Sequence, residues 1–265
     1  MTYTLYACGT RGTRTVFGNS FLKYGGYTTC YVFKEKDYAF IVDAGSGLDN
    51  AQAILADCTQ IDIVLTHLHL DHICGLLNTV NFPSNAIVRI YAAFSKWGME
   101  NGLQDYPPTP FWPVKMTNYQ YININVDKTY QFKDIKLRSY ASNHPDDTLM
   151  FKIYVNGKLI HFLCDYEHED ENDHKFELHN DMKEPCDLLF YDGTYTPEEY
   201  PLYKGHGHST YQEGIKLAKI TGAKKLYITH HEPTRTDDEL DALENFAKNS
   251  FEDIEFVKNL QIIEI

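Results

Sequence analysis

The sequence predicts an α/β fold in which two sheets pack face to face and helices lie outside. Three observations predict it. Strand-like and helix-like runs alternate along the chain, the alternation occurs in two similar halves, and each half opens with runs that read as antiparallel hairpins. The 265 residues exceed an average domain, yet folds of this kind reach that length as one unit. No repeat array, low-complexity tract or linker divides the chain, so a single domain over residues 1–265 is the expectation. A hydrophobic content of 43% is ample for its core.

The elements follow in order. "YTLYA" (3–7), "TTCYVFK" (28–34) and "YAFIVDAG" (38–45) are rich in β-branched and aromatic residues and read as strands. "LDNAQAILADC" (48–58) reads as a helix, and "IDIVLT" (61–66) returns to a buried strand. After the strand-like "AIVRIYA" (86–92), the proline density of residues 94–114 forbids regular structure and predicts a long loop. The second half begins with "IKLRSYAS" (135–142), "TLMFKIYV" (148–155) and "KLIHFLCD" (158–165), the last two joined across the turn Asn156–Gly157. "DLLFYDG" (187–193) is a further strand. A helix over 209–222 takes Ser209 or Thr210 near its N-cap and Gly222 at its end. "KKLYITHH" (224–231) is a strand, "TDDELDALENFAKNS" (236–250) a helix, and "LQIIEI" (260–265) a last strand.

Charge limits the partners. A net charge of -13 argues against a long nucleic-acid polymer, whose binding rests mainly on Lys and Arg. A small anion held at a buried cation remains compatible with it. "MTYTLYACGT" has no basic stretch leading into an apolar region, and no apolar run is long enough to span a bilayer. A cytoplasmic protein with no membrane partner is expected. The six cysteines (Cys8, Cys30, Cys58, Cys74, Cys164 and Cys186) are scattered, form no C-x-x-C pair, and read as small buried thiols.

The chemistry concentrates in "THLHLDH", residues 66–72, directly after an apolar strand. In extended chain, side chains two apart point the same way, so His67 and His69 converge as half of a metal shell. Asp71 and His72, where the chain turns, offer an oxygen and a nitrogen to a second ion. Three more candidate ligands follow apolar β runs: His144 after "SYASN", Asp165 at the end of "HFLCD", and His230 at the end of "LYITH". Loops at one edge of a sheet bring such positions together.

Together these residues resemble the metallo-β-lactamase superfamily, with H-x-H-x-D-H followed by isolated His, Asp and His, and with "DAG" at 43–45. The resemblance covers nearly the whole chain and implies a four-layer αββα sandwich of two mixed sheets. It also implies two divalent ions, Zn²⁺ or Mn²⁺. His67, His69 and His144 would hold one, and Asp71, His72 and His230 the other, with Asp165 and a water or hydroxide between them. Cys164 precedes Asp165, and adjacent strand residues face opposite sides, so only one points at the metals. "LCDYEH" resembles the family's D-x-E segment, which selects Asp165 and leaves Cys164 in the core. Asp71 counts among the catalytic residues as well as the ligands.

"GHGHSTYQEGIKLA" followed by "LYITHHEP" resembles the H-S-T helix start of tRNase Z-like and PhnP-like phosphodiesterases. On that match His208 is the general acid for the leaving oxygen and Asp192 the residue that orients it. tRNase Z carries a long arm between the residues matching His144 and Asp165; here those positions are 21 apart and filled by two strands. This favours a small phosphodiester over tRNA. The chain looks most similar to enzymes that hydrolyse 3′,5′-cyclic nucleotides, including the anti-Pycsar proteins, and the resemblance implies a homodimer. The alternatives are a PhnP-like cyclic ribosyl phosphate phosphodiesterase, a tRNase Z-like ribonuclease, an ester or thioester hydrolase, and a non-catalytic cyclic-nucleotide sponge.

Other residues carry weaker signals. Trp97, Tyr106, Phe111, Trp112, Tyr119 and Tyr121 suit either base stacking or packing of a proline-rich lid. The acid-rich run holding His168, His174 and His179 reads as a solvated loop. His161, inside a strand, reads as a satisfied core histidine. His206 and His231 are expected in contact with site residues or substrate, and Asp43 as a brace for the ligand loop. "GTRGTR" (9–14) lacks the Lys-Ser/Thr ending of a phosphate-binding P-loop.

Overall fold

A computed structural model describes residues 2–77, 82–99, 102–104, 106, 119–168 and 177–265. The first sheet contains β1 (Thr4–Gly9), β2 (Cys30–Glu35), β3 (Tyr38–Val42), β4 (Gln60–Val64), β5 (Ile87–Ala92), β6 (Gln120–Asn123) and β14 (Gln261–Ile263), in the order β14-β1-β2-β3-β4-β5-β6. The second contains β7 (Thr129–Phe132), β8 (Ile135–Ala141), β9 (Leu149–Val155), β10 (Lys158–Leu163), β11 (Leu188–Asp192), β12 (Lys225–Thr229) and β13 (Ile254–Phe256), ordered β13-β12-β11-β10-β9-β8-β7.

The two halves repeat one plan. In the first sheet β1, β2 and β3 pair antiparallel, then β3 to β6 run parallel. In the second, β7 to β10 pair antiparallel, then β10 to β13 run parallel. Parallel strands covered on both faces read as continuous apolar runs, and every residue of β3 and β11 is buried. Phe33, Phe40, Phe151, Phe162 and Phe190 fill the layer between the sheets. The outer face of the first sheet packs on Leu48, Leu55 and Ile73. That of the second packs on α4 (Tyr211–Thr221) and α5 (Asp237–Ala247) through Ile215, Leu217, Ala218 and Leu240. The layers are therefore helix, sheet, sheet, helix, as the resemblance implied.

Thr210 and Thr236 cap α4 and α5; Thr236 and Glu239 form a reciprocal capping box, and Gly222 ends α4 in the left-handed conformation. The helix expected over 48–58 is shorter: a 3₁₀ turn over Ser46–Ala51 leads into α1 (Gln52–Leu55). Asn50 explains part of the difference, because its side-chain amide donates to the Cys8 carbonyl, a partner outside any helix. Strands β6, β7 and β13 add to those that the sequence predicts. Much of the expected loop at 94–114 lies outside the described residues; its start is a 3₁₀ turn, Phe94–Trp97. No helix among the described residues is long and apolar enough to cross a membrane.

Candidate metal centre

Strand ends build the site, because the parallel strands all point their carboxyl ends to one edge. Beyond β4, Thr66 to His69 run extended into the single-turn helix α2 (Leu70–Ile73), which carries Asp71 and His72. His144 lies between β8 and β9, Asp165 two residues past β10, and His230 directly past β12. Asp43, Asp165 and His230 each leave their strand in the left-handed region, with φ of 60°, 55° and 56°. That sharp exit turns the side chain along the edge instead of letting it alternate across the sheet.

The seven expected ligands fall into two groups, His67–His69–His144 and Asp71–His72–Asp165–His230, with one ligand atom of each residue within 4.8 Å of the others. Asp165 joins them. Its Oδ2 lies 3.5 Å from His144 Nε2 and 3.8 Å from His67 Nε2, while its Oδ1 lies 3.2 Å from His72 Nε2 and 3.3 Å from His230 Nε2. Asp71 Oδ2 lies 3.4 Å from His230 Nε2 and 3.5 Å from His72 Nε2. Cys164 is buried in the layer between the sheets.

A fit to metal can be tested on the imidazoles. His67, His72, His144 and His230 each commit Nδ1 to a neighbour: Thr66 Oγ1 at 3.0 Å, Asp43 Oδ2 at 2.8 Å, Thr148 Oγ1 at 2.9 Å and Thr194 Oγ1 at 3.0 Å. Each thereby turns Nε2 inward. The Nε2 atoms of His67, His72 and His230 are buried without a hydrogen-bond partner among the described residues. Buried orphan nitrogens are costly, and three converging on carboxylates suit a cation. The donor set therefore fits two divalent ions of the kind that imidazole and carboxylate bind. His69 is the outlier, half-exposed, with Nε2 3.1 Å from Asp146 Oδ2.

Charge differs between the groups. Burial, with the neighbouring His72, holds His67 well below the usual histidine range, and burial takes His144 down to about 4. These imidazoles are neutral and ready to ligate. Burial also opposes charge on His72 and His230, but Asp165, Asp43 and Asp71 outweigh it at His72. Asp165, Asp71 and Asp192 do so at His230, raising it to about 9. Below about pH 9 the metal-free second group therefore holds protons that a cation must displace, so its affinity falls as pH falls. At about pH 7.5, metal added to metal-free protein is expected to release at least one proton. Calorimetry in buffers of different ionisation enthalpy measures this, and a heat independent of the buffer would refute it.

His208 stands at the rim of both groups. Its Nδ1 is 2.8 Å from Asp192 Oδ2, and its ring stacks on His230 at 4.7 Å and lies 5.2 Å from that of His144. Asp192 is fully buried. Burial resists its charge, yet His208 and His230 hold it ionised below the usual carboxylate range. Its Oδ1 accepts from the Thr194 backbone N–H at 3.0 Å and from Thr194 Oγ1 at 2.7 Å. Nδ1–H of His208 is thus fixed toward Asp192, and Nε2 is left for the centre.

Several supporting residues escaped sequence reasoning. The Thr13 backbone N–H donates to Asp71 Oδ2 at 2.7 Å, and a Cβ on Gly12 would sit 2.3 Å from His230 Cε1. The "GTRGTR" segment therefore underlies the metal groups, and only glycine fits at position 12. Glu167 accepts from the backbone N–H groups of Gly205 and Gly207 and from the hydroxyl of Tyr200 in α3 (Tyr200–Tyr203), which shapes the loop delivering His208. The signal was present in the D-x-E spacing after Asp165. Asp43 takes the bracing geometry, accepting from the Thr66 backbone at 2.7 Å as well as holding His72.

Other expectations need correction. His161 is a buried histidine of β10, and neither ring nitrogen has a hydrogen-bond partner of ordinary geometry among the described residues. His231 faces away from the site, donates Nε2–H to the Val257 carbonyl and stacks on Phe256; its backbone pairs with Thr10 and Gly12. His206 lies exposed beside Tyr203. His168 is not simply solvated: it is 2.9 Å from Ser209 Oγ and packs on Tyr200. His179 caps a 3₁₀ turn and packs on Tyr140. Tyr106, Tyr119 and Tyr121 pack against the core outside the first sheet. The side chain of Trp97, together with Phe111, Trp112 and His174, lies outside the described residues.

Comparison with known proteins places this geometry. Residues 38–231 match the model of the family described as "Beta-lactamase superfamily domain". Ribonuclease Z of Streptococcus suis (strain 98HAH33) is 33% identical over 80 residues, which is 30% of this chain; the match spans 26% of that relative's length. The metallo-β-lactamase-fold protein YhfI of Bacillus subtilis superposes with a TM-score of 0.76 at 19% identity, covering 100% of both chains. A diphosphatase from the PhnP family gives 0.72 at 16% identity, covering 99% of this chain and 98% of its own. Both likenesses concern the fold. The family match spans most of the chain and includes every residue of the two ligand groups, so the chain belongs to the β-lactamase superfamily and has the metallo-β-lactamase fold.

Proposed function

We propose that the protein is a binuclear metal-dependent phosphodiesterase that opens a small cyclic diester, a 3′,5′-cyclic nucleotide, to a nucleoside monophosphate. Anti-Pycsar activity, removal of a cyclic pyrimidine nucleotide signal, is the biological form this reading favours. The observation that carries it is the His208–Asp192 pair at 2.8 Å, set against two ligand groups that share Asp165. The match to a ribonuclease Z and the likeness to a PhnP-family protein support hydrolysis of phosphate linkages.

Divalent ions in the two groups would polarise the phosphate oxygens and acidify a water between them. The chain's own residues do the rest. Asp165 spans the two groups, and the threonines and Asp43 fix the imidazole tautomers. A water oxygen bonds to phosphorus as a ring P–O bond breaks. The leaving oxygen keeps the electron pair and takes the proton from His208 Nε2, and a proton from the water restores His208. Asp192 stabilises His208 while it is charged.

The short path between His144 and Asp165 favours a small substrate. β9 and β10 fill it as a hairpin turned at Asn156–Gly157, which leaves no room for a tRNA-gripping arm. The test is incubation with cyclic AMP, GMP, CMP and UMP and Mn²⁺ or Zn²⁺, followed by chromatography. Conversion of at least one to its monophosphate is expected. Stoichiometric binding without product would instead favour a sponge.

A further inference from the structure

A cleft of about 360 Å³ opens on the flank of the second ligand group, lined by Thr13, Arg14, Thr194, Tyr195, Glu199 and Tyr203 among others. Two of these touch the site directly: the Thr13 N–H reaches Asp71, and Thr194 Oγ1 lies 3.0 Å from His230 Nδ1. A third, Tyr195, meets His208 in an edge-to-face contact, ring centroids 6.0 Å apart. Tyr195 and Tyr203 stack nearly parallel, 4.7 Å apart at 8°, and Tyr203 is 40% exposed. The stack therefore runs from the proposed general acid out to the exposed Tyr203, whose ring also meets that of His206 at 5.8 Å.

The charges of the cleft are unevenly committed. Glu199 is neutralised by Arg235 at 2.6 Å, and Glu232 accepts from Thr234. Arg14, exposed at the mouth, has no ion-pair partner among the described residues. A free guanidinium beside an aromatic platform matches a ligand that is both anionic and flat. The volume lies near the lower limit of small-molecule clefts, roughly 300–1,000 Å³, which suits a single nucleotide.

We propose that this cleft is the nucleoside subsite: the base lies on the exposed Tyr203 ring, and Arg14 faces the phosphate. The assignment rests on the phosphodiesterase reading for its orientation, because the group that His208 protonates must lie on the His208 side. In a cyclic diester the leaving oxygen stays on the nucleoside that keeps the phosphate, so the product monophosphate spans cleft and metal groups together. Tyr203 and Arg14 are then specificity-determining residues outside the metal centre.

Binding of adenosine 5′-monophosphate and of ribose 5-phosphate to the metal-loaded protein separates base recognition from phosphate recognition. The nucleotide is expected to bind about tenfold more tightly than the sugar phosphate. Tyr203→Ala should abolish that preference and Tyr203→Phe should keep it. Arg14→Gln should weaken both ligands about equally. Equal affinities in the wild type, or an unchanged preference in Tyr203→Ala, overturns the subsite. If no cyclic nucleotide is hydrolysed yet the base preference follows Tyr203, the subsite stands and the proposed activity falls.

Discussion

Asp165→Asn protein is expected to hold at most one divalent ion per chain and to lose on the order of 10³-fold in turnover, because several kcal/mol of charge stabilisation go with the carboxylate. The substitution keeps the side chain's shape and removes its charge, which isolates electrostatics from packing. Each oxygen of Asp165 serves two imidazoles, one pair from each group. An amide presents one oxygen and one NH₂, so one pair must face a donor where it had an acceptor. Elemental analysis of the purified variant counts the ions, and circular dichroism checks the fold. Two ions per chain with turnover within threefold of wild type would remove Asp165 from the shared position.

The second large effect concerns His208→Ala, expected to cost about 10²–10⁴ in turnover of a cyclic nucleotide while both ions stay bound. The metal count matters as a control, because the ligand atoms of His208, His144 and Asp165 also lie within 4.8 Å of one another. Leaving-group chemistry gives a sharper test. A ribose alkoxide needs a proton as it departs, whereas p-nitrophenolate does not, so a p-nitrophenyl diester should lose less than about tenfold. Equal losses on both substrates would mean that His208 positions and does not protonate. An ester hydrolase on the same fold would instead keep its carboxylic-ester turnover after the change.

The ligands were legible because each stands where an apolar run stops, and the order His, His, Asp, His, His, Asp, His survives in one dimension. Asp192 and His208 were legible only through their resemblance to related enzymes, since nothing local ties positions 16 apart. The threonines at 66, 148 and 194 escaped notice because their value lies in contacts made after folding: Thr194 reaches His230 across 36 positions. β6, β7 and β13 have three or four residues each, too few for alternation to emerge. The helix read over 48–58 failed for a related reason, as Asn50 and the turn around it answer to β1 more than to their own spacing.

The left-handed exits at Asp43, Asp165 and His230 carry a cost that the chain bears for its chemistry. Each non-glycine residue there stores torsional energy of about 1 kcal/mol, somewhat eased for aspartate and histidine. Glycine would relax all three corners and erase the side chains that matter. On the proposed function, thermal tolerance and turnover are antagonists at these positions, and a search for hardier variants is expected to recover inactive proteins there first.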